Sequence, residues 1–162
     1  LVMKKTKCDA VKLEGGKKII SIVRTLIKNK IPVMGHLGIL PQTEKKFFFK
    51  GKKIFEINKL LKDSKLLEKA GIFSIVLECV ETKLAKKITE QLKIPTIGIG
   101  SSAYCDGQVL VIDDLIGLSK SKFRFVKKYA NINLIINLAV KNFKSDVLKK
   151  QFPKSKHSFN NR

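Results

Sequence analysis

The chain of 162 residues carries 34 Lys or Arg against 13 Asp or Glu, a formal net charge of +21, and 44% of its residues are hydrophobic. That length and apolar content suit one domain with a real core, and no stretch approaches the roughly 20 uninterrupted apolar residues of a membrane-spanning helix. Only Arg24, Arg124 and Arg162 are arginines and the lysines run the whole length, whereas base-reading surfaces gather arginine forks in one place, so a nucleic-acid footprint is not expected.

The opening Leu1-Val2-Met3-Lys4-Lys5 has charge with no apolar run behind it, so no secretory signal is expected there. Short runs rich in β-branched residues, bounded by Gly, Pro or Asp, predict strands at 10–13, 31–34, 73–77, 95–99 and 109–112. Amphipathic patterns between them predict helices at 17–28, 55–70 and 81–92. In the last of these Leu84, Ile88 and Leu92 recur every four residues with lysines opposite. Gly71 stands where a helix C-cap belongs. An amphipathic tail runs from about 123 to 150, broken near Asn131, and Pro153 opens a polar terminus. Cys8, Cys79 and Cys105 are odd in number and far apart, which reads as reduced thiols, with no zinc site or disulfide framework expected.

Alternating strands and helices predict an α/β protein with parallel strands and crossover helices. Two architectures fit that alternation, an open doubly wound sheet and part of a (β/α)8 barrel. Five strands are too few to close a barrel, whose usual length is about 250 residues.

Four segments carry polar or small residues where strands end. In Val11-Lys12-Leu13-Glu14-Gly15-Gly16 the period of two sends Lys12 and Glu14 to one face. A strand covered by helices is apolar on both faces, so this pair fits a polar site at a barrel mouth, and a carboxylate is the right hard ligand for Mg2+. The run 31–34 leads into a Gly35-His36-Leu37-Gly38 turn that brings an imidazole to a second strand end. Glu78 closes the apolar run 73–77, and desolvation there would suit a general base. Gly98-Ile99-Gly100 lets backbone approach a ligand closely, yet lacks the third glycine and following helix of a dinucleotide fingerprint.

The blocks VKLEGG, PVMGHLG-x-x-PQ, VLECV, IPTIGIG and DGQVLV, in this order, resemble the ketopantoate hydroxymethyltransferase family over nearly the whole chain. The resemblance implies a (β/α)8 TIM barrel of the phosphoenolpyruvate/pyruvate superfamily type, here about strands 4 to 8 with their helices and a C-terminal helical tail. It also implies a single domain over 1–162, with the barrel at about 8–120, helices at about 121–152 and a polar tail at 153–162. The implied reaction moves a hydroxymethyl group from 5,10-methylenetetrahydrofolate to 3-methyl-2-oxobutanoate with Mg2+ present, giving 2-dehydropantoate on the way to pantothenate. By position, Lys12 matches the family's keto-acid contact, Glu14 its magnesium ligand and Glu78 its catalytic proton acceptor. His36 matches a substrate-binding histidine beside the site.

The resemblance further implies a cytoplasmic homo-oligomer of longer chains, with C-terminal helices at the subunit contacts. About a hundred residues would precede this stretch in a full barrel, bringing two aspartates that ligate magnesium and a substrate-contacting serine. On that reading the chain is an incomplete piece, expected to fold poorly because an open barrel bares two strand edges. The loop 43–53 is more basic than the family's usual one, and the customary proline near Ser121–Phe125 is missing. Two other classes compete. A lysine-rich nucleic-acid-binding module would show steep salt-dependent binding to duplex DNA, and another Mg-dependent keto-acid enzyme of the same superfamily would show lyase activity on a 2-hydroxy dicarboxylate.

Overall fold

The computed structural model describes residues 2–44 and 48–159, so part of the basic loop 43–53 and the end of the polar tail lie outside the described residues. The chain divides into two compact units, Leu1–Val109 and Leu110–Arg162.

In the first unit, α1 (Val2–Thr6) precedes β1 (Val11–Glu14), a 3-10 turn (Lys17–Ile19) and α2 (Ile20–Lys28). Then follow β2 (Val33–Gly38), α3 (Ile54–Ala70), β3 (Ser74–Glu78), α4 (Thr82–Gln91), β4 (Thr96–Ile99) and β5 (Gly107–Gln108). All five strands are parallel and pair in chain order, β1-β2-β3-β4-β5. A doubly wound sheet reverses its order where the helices change faces, and this order never reverses. Val23 of α2, Leu60 and Leu67 of α3, and Leu84 and Ile88 of α4 share one core cluster with sheet residues. The helices therefore cover one face, which is the winding of a barrel arc.

Alternation decides what the two faces carry. Val33 and Leu37 of β2 and Ile75 and Leu77 of β3 point into the helix-side cluster, with Val11 and Leu13 of β1 packed against it. Ile75, Leu77, Leu67 and Ile88 are fully buried, each contributing about 1.5–3 kcal/mol of hydrophobic stabilisation. The residues between them in sequence face the other side. Gly71 caps α3 in the left-handed conformation at φ 99°, its N–H donating to Glu68 and Leu67 carbonyls.

Two expectations shift in this unit. β2 runs on to Gly38, so His36 lies within a strand and not on a turn. The cause is Gly35, where an added Cβ would sit 2.8 Å from Ile72 Cδ1 and 3.4 Å from Ile75 Cγ1. That glycine makes room for core side chains and does not break the strand. The strand expected at 109–112 is instead β5 at Gly107–Gln108. Asp106 takes the N–H and Oγ1 of Thr96 at 2.8 and 3.0 Å, which sets the pairing early. Val109 makes the last bond of that ladder, to Gly98 O.

The second unit opens with α5 (Ile112–Leu115), whose first turn carries Asp113 and Asp114, a favourable place for negative charge. Residues 123–131, expected as helix, form turns and irregular chain. The helix α6 (Ile132–Leu148) begins where the Asn131 side chain accepts the Leu134 N–H at 3.2 Å. A short 3-10 turn, Ser155–His157, follows it.

Candidate active site

Strand register brings the predicted polar residues into neighbouring rows on the face away from the helices. Lys12 pairs with Met34, which pairs with Ser74; Glu14 pairs with His36, which pairs with Val76; and Gly38 pairs with Glu78. Lys12, Glu14, His36 and Glu78 thus occupy one face at the C-terminal ends of three adjacent strands, where barrel enzymes carry their sites.

Two of the four touch. His36 Nε2 lies 3.1 Å from Glu78 Oε2 and 3.0 Å from the Ile39 carbonyl oxygen. The His36 side chain is only 2% exposed and that of Glu78 13%. Burial, more than any other cause, lowers the His36 pKa from its ordinary 6.5; Lys12 adds to this, against Glu14 and the Ile39 contact. The imidazole is therefore neutral at pH 7, its Nε2–H shared between the Ile39 carbonyl and the Glu78 carboxylate. The contact is a hydrogen bond, not an ion pair. His36 Nδ1, left as the lone-pair nitrogen, has no partner among the described residues, and neither does the buried Ser74 hydroxyl on the same face.

Burial raises the Glu78 pKa above its ordinary 4.5, and Glu14 adds to this while Lys12 opposes it. A carboxylate held this way is a stronger base than a solvated one, which suits proton abstraction near neutrality. Glu14 is fixed differently, its Oε2 accepting the Gln42 N–H at 3.1 Å. Cys79 follows Glu78 with its thiol buried, and burial together with Glu78 pushes its pKa up. It is a packing residue and no nucleophile.

Opposite pH effects follow from this pair. Because folding lowers the His36 pKa, the unfolded chain takes its proton first as pH falls, and stability is lost from about 6.5 down to the folded value. The raised Glu78 works the other way, its contribution complete below about 4.5 and lost as pH rises through the folded value. As pH falls from about 7 to 5, urea unfolding should therefore show the parent losing stability relative to His36→Gln. Equal slopes in the two proteins would show that His36 does not titrate in this way.

A divalent cation finds chemistry of the right kind here but an incomplete set. Glu14 offers a hard carboxylate oxygen, while no group of three His, Cys, Asp or Glu side chains among the described residues is arranged to hold a metal. Mg2+ wants six oxygens in near-octahedral order.

The residues not anticipated from sequence are those that fix the anticipated ones. Gln42 holds Glu14 through its backbone, and Ile39 orients His36 through its carbonyl. Backbone partners leave no side-chain signature, so only the fold reveals them.

A singly wound parallel sheet with polar groups at its carboxyl ends is the layout of a barrel-type enzyme. A family described as ketopantoate hydroxymethyltransferase matches residues 1–155. Proteins named 3-methyl-2-oxobutanoate hydroxymethyltransferase are similar in sequence. One from Pelagibacter ubique is 66% identical over 98% of this chain and 62% of its own length. Others from Syntrophomonas wolfei (46% identical, 94% of this chain, 56% of the relative) and Saccharolobus solfataricus (49%, 94% and 58%) follow. The chain belongs to the ketopantoate hydroxymethyltransferase family, and its sheet is part of that family's α/β barrel of the phosphoenolpyruvate/pyruvate superfamily. It spans about three-fifths of the length of the curated relatives it matches.

Proposed function

We propose that this chain supplies the catalytic base and part of the substrate site of an enzyme of pantothenate synthesis. The enzyme joins 3-methyl-2-oxobutanoate to the one-carbon unit of 5,10-methylenetetrahydrofolate. The observation that carries the reading is the meeting of Lys12, Glu14, His36 and Glu78 on one face of the sheet, with His36 and Glu78 in contact. The names of the relatives support the substrate.

In this reading the Glu78 carboxylate takes the proton from C3 of the keto acid, leaving an enolate. Water breaks both C–N bonds of the folate methylene, releasing tetrahydrofolate and leaving that carbon as formaldehyde. The enolate carbon adds to it, and the alkoxide so formed takes the proton held on Glu78, giving 2-dehydropantoate. Lys12 stabilises the negative charge growing on the enolate oxygen. His36 keeps Glu78 aimed, its Nε2–H holding one carboxylate oxygen so that the other faces the substrate. A bound Mg2+ would supply Lewis-acid polarisation of the 2-oxo group, which would make the neighbouring C–H more acidic. Glu14 would give it one oxygen, the other ligands coming from outside the described residues.

Two small molecules are the partners in this reading, in the cytoplasm, and the lysines form a solvated surface with no nucleic-acid role. No helix among the described residues is long and apolar enough to cross a membrane. We take both compact units as parts of one domain and the family-length protein as a homo-oligomer. The exposed apolar side chains of α6, among them Leu134, Ile135, Leu138 and Phe143, support such contacts.

The test joins this chain to the N-terminal family segment and supplies keto acid, 5,10-methylenetetrahydrofolate and Mg2+. Formation of 2-dehydropantoate is expected, and no product from a well-folded joined protein would refute the reading. Calorimetry on the 162-residue chain alone should find Mg2+ binding no tighter than millimolar, because one carboxylate cannot dehydrate the ion. Micromolar binding would mean that the chain holds a complete metal site.

A further inference from the structure

The residue after Glu78 carries a strained backbone. Cys79 sits at φ 50°, the left-handed region that side chains other than glycine rarely enter. Such a bend costs free energy and persists only where its surroundings over-determine it. One hydroxyl is among those surroundings. Ser101 Oγ donates to the Leu77 carbonyl at 2.7 Å and accepts the Val80 N–H at 3.0 Å. It thus spans the bend, bonding the residue before Glu78 and the residue after Cys79.

Around this bridge the remaining backbone groups are partnered from both sides. Cys79 N–H donates to Ile99 O at 2.8 Å, and Lys50 N–H donates to Cys79 O at 2.8 Å. Glu81 N–H donates to Lys50 O, and Glu78 O accepts the Ile39 N–H at 2.9 Å. Within this ring of bonds Ser101 is the only side-chain partner among the described residues, and a single substitution there removes two bonds at once.

We propose that Ser101 is a positioning residue for Glu78, its hydroxyl closing the β3 exit into the bend that aims the Glu78 carboxylate along the inner face. Ser101 touches no substrate in this account and acts through the backbone of residues 77–80. The proposal rests on the reading of Glu78 as the base, and its geometric part stands independently of that reading.

Two measurements separate the parts. In the joined, family-length protein, hydrogen exchange at the Val80 amide should rise at least about tenfold in Ser101→Ala and return towards the parent rate in Ser101→Thr. Unchanged exchange in Ser101→Ala would overturn the clamp whether or not the protein is an enzyme. In the joined, family-length protein, Ser101→Ala should lower kcat by about tenfold or more, since small misplacement of a catalytic group is costly. The KM for the keto acid should stay within about twofold, and Ser101→Thr should recover most of kcat. Parent-level kcat in Ser101→Ala, or a matching loss in Ser101→Thr, would overturn the positioning role. If the joined parent protein makes no 2-dehydropantoate, the functional reading falls and the Val80 exchange alone decides the clamp.

Discussion

In the joined protein, Glu78→Gln should lower kcat for 2-dehydropantoate formation by about 100- to 10,000-fold, the range a positioned general base contributes. Glutamine has the same shape, and its amide oxygen can still accept the His36 Nε2–H that now reaches Glu78 Oε2. The fold and the KM for the keto acid should therefore change little, which separates lost chemistry from lost binding. In the parent protein, kcat should rise with pH through a pKa above the ordinary 4.5 of a glutamate, the direction burial gives Glu78. That limb should vanish from the residual activity of the variant. Undiminished turnover in Glu78→Gln would remove Glu78 from the mechanism.

Gly38→Ala should be the most damaging single change to the fold around the site. Gly38 has φ 102°, and a Cβ there would lie 2.0 Å from the Glu78 carbonyl oxygen and 2.9 Å from Val80 Cγ2. The first neighbour is backbone, so no rotamer relieves the clash. β3 must move, and the Ile39 N–H bond to Glu78 O must break. Strain and the lost bond together should cost about 3–5 kcal/mol, at the upper end for point substitutions. Gly35→Ala in the same strand is the natural comparison. Its nearest neighbour is the end of the Ile72 side chain, Cδ1, which can yield, and it has no positive φ. Denaturant titration should rank Gly38→Ala well below Gly35→Ala, and a Gly38→Ala protein within about 1 kcal/mol of the parent would contradict the geometry.

How much of this was legible in the sequence depends on how local each cause is. The alternation in Val11–Glu14 can be read from neighbours alone, and so can the helix face repeated through Leu84, Ile88 and Leu92. Gly71 announces its cap because a helix end needs a left-handed residue. Gly35 misleads for the same reason, since glycine usually punctuates and here only opens space beneath Ile72. The displaced fifth strand has its cause in Asp106 reaching back to Thr96, a contact that the apolar run 109–112 does not disclose. The family blocks pointed to Lys12, Glu14, His36 and Glu78. Their spacing along the chain does not say that Glu78 meets an imidazole 42 residues earlier. That meeting needs the strand order and the register, which are long-range facts. Ser101 is less legible still, because it acts on backbone groups that any sequence would have.

The most direct test is a crystal structure of the joined, family-length protein soaked with 3-methyl-2-oxobutanoate. The keto acid should lie on the inner face of the sheet, its carboxylate or carbonyl oxygen within hydrogen-bond reach of Lys12 Nζ and its C3 facing the Glu78 carboxylate. A keto acid bound elsewhere, with Lys12 and Glu78 turned to separate surfaces, would contradict the account.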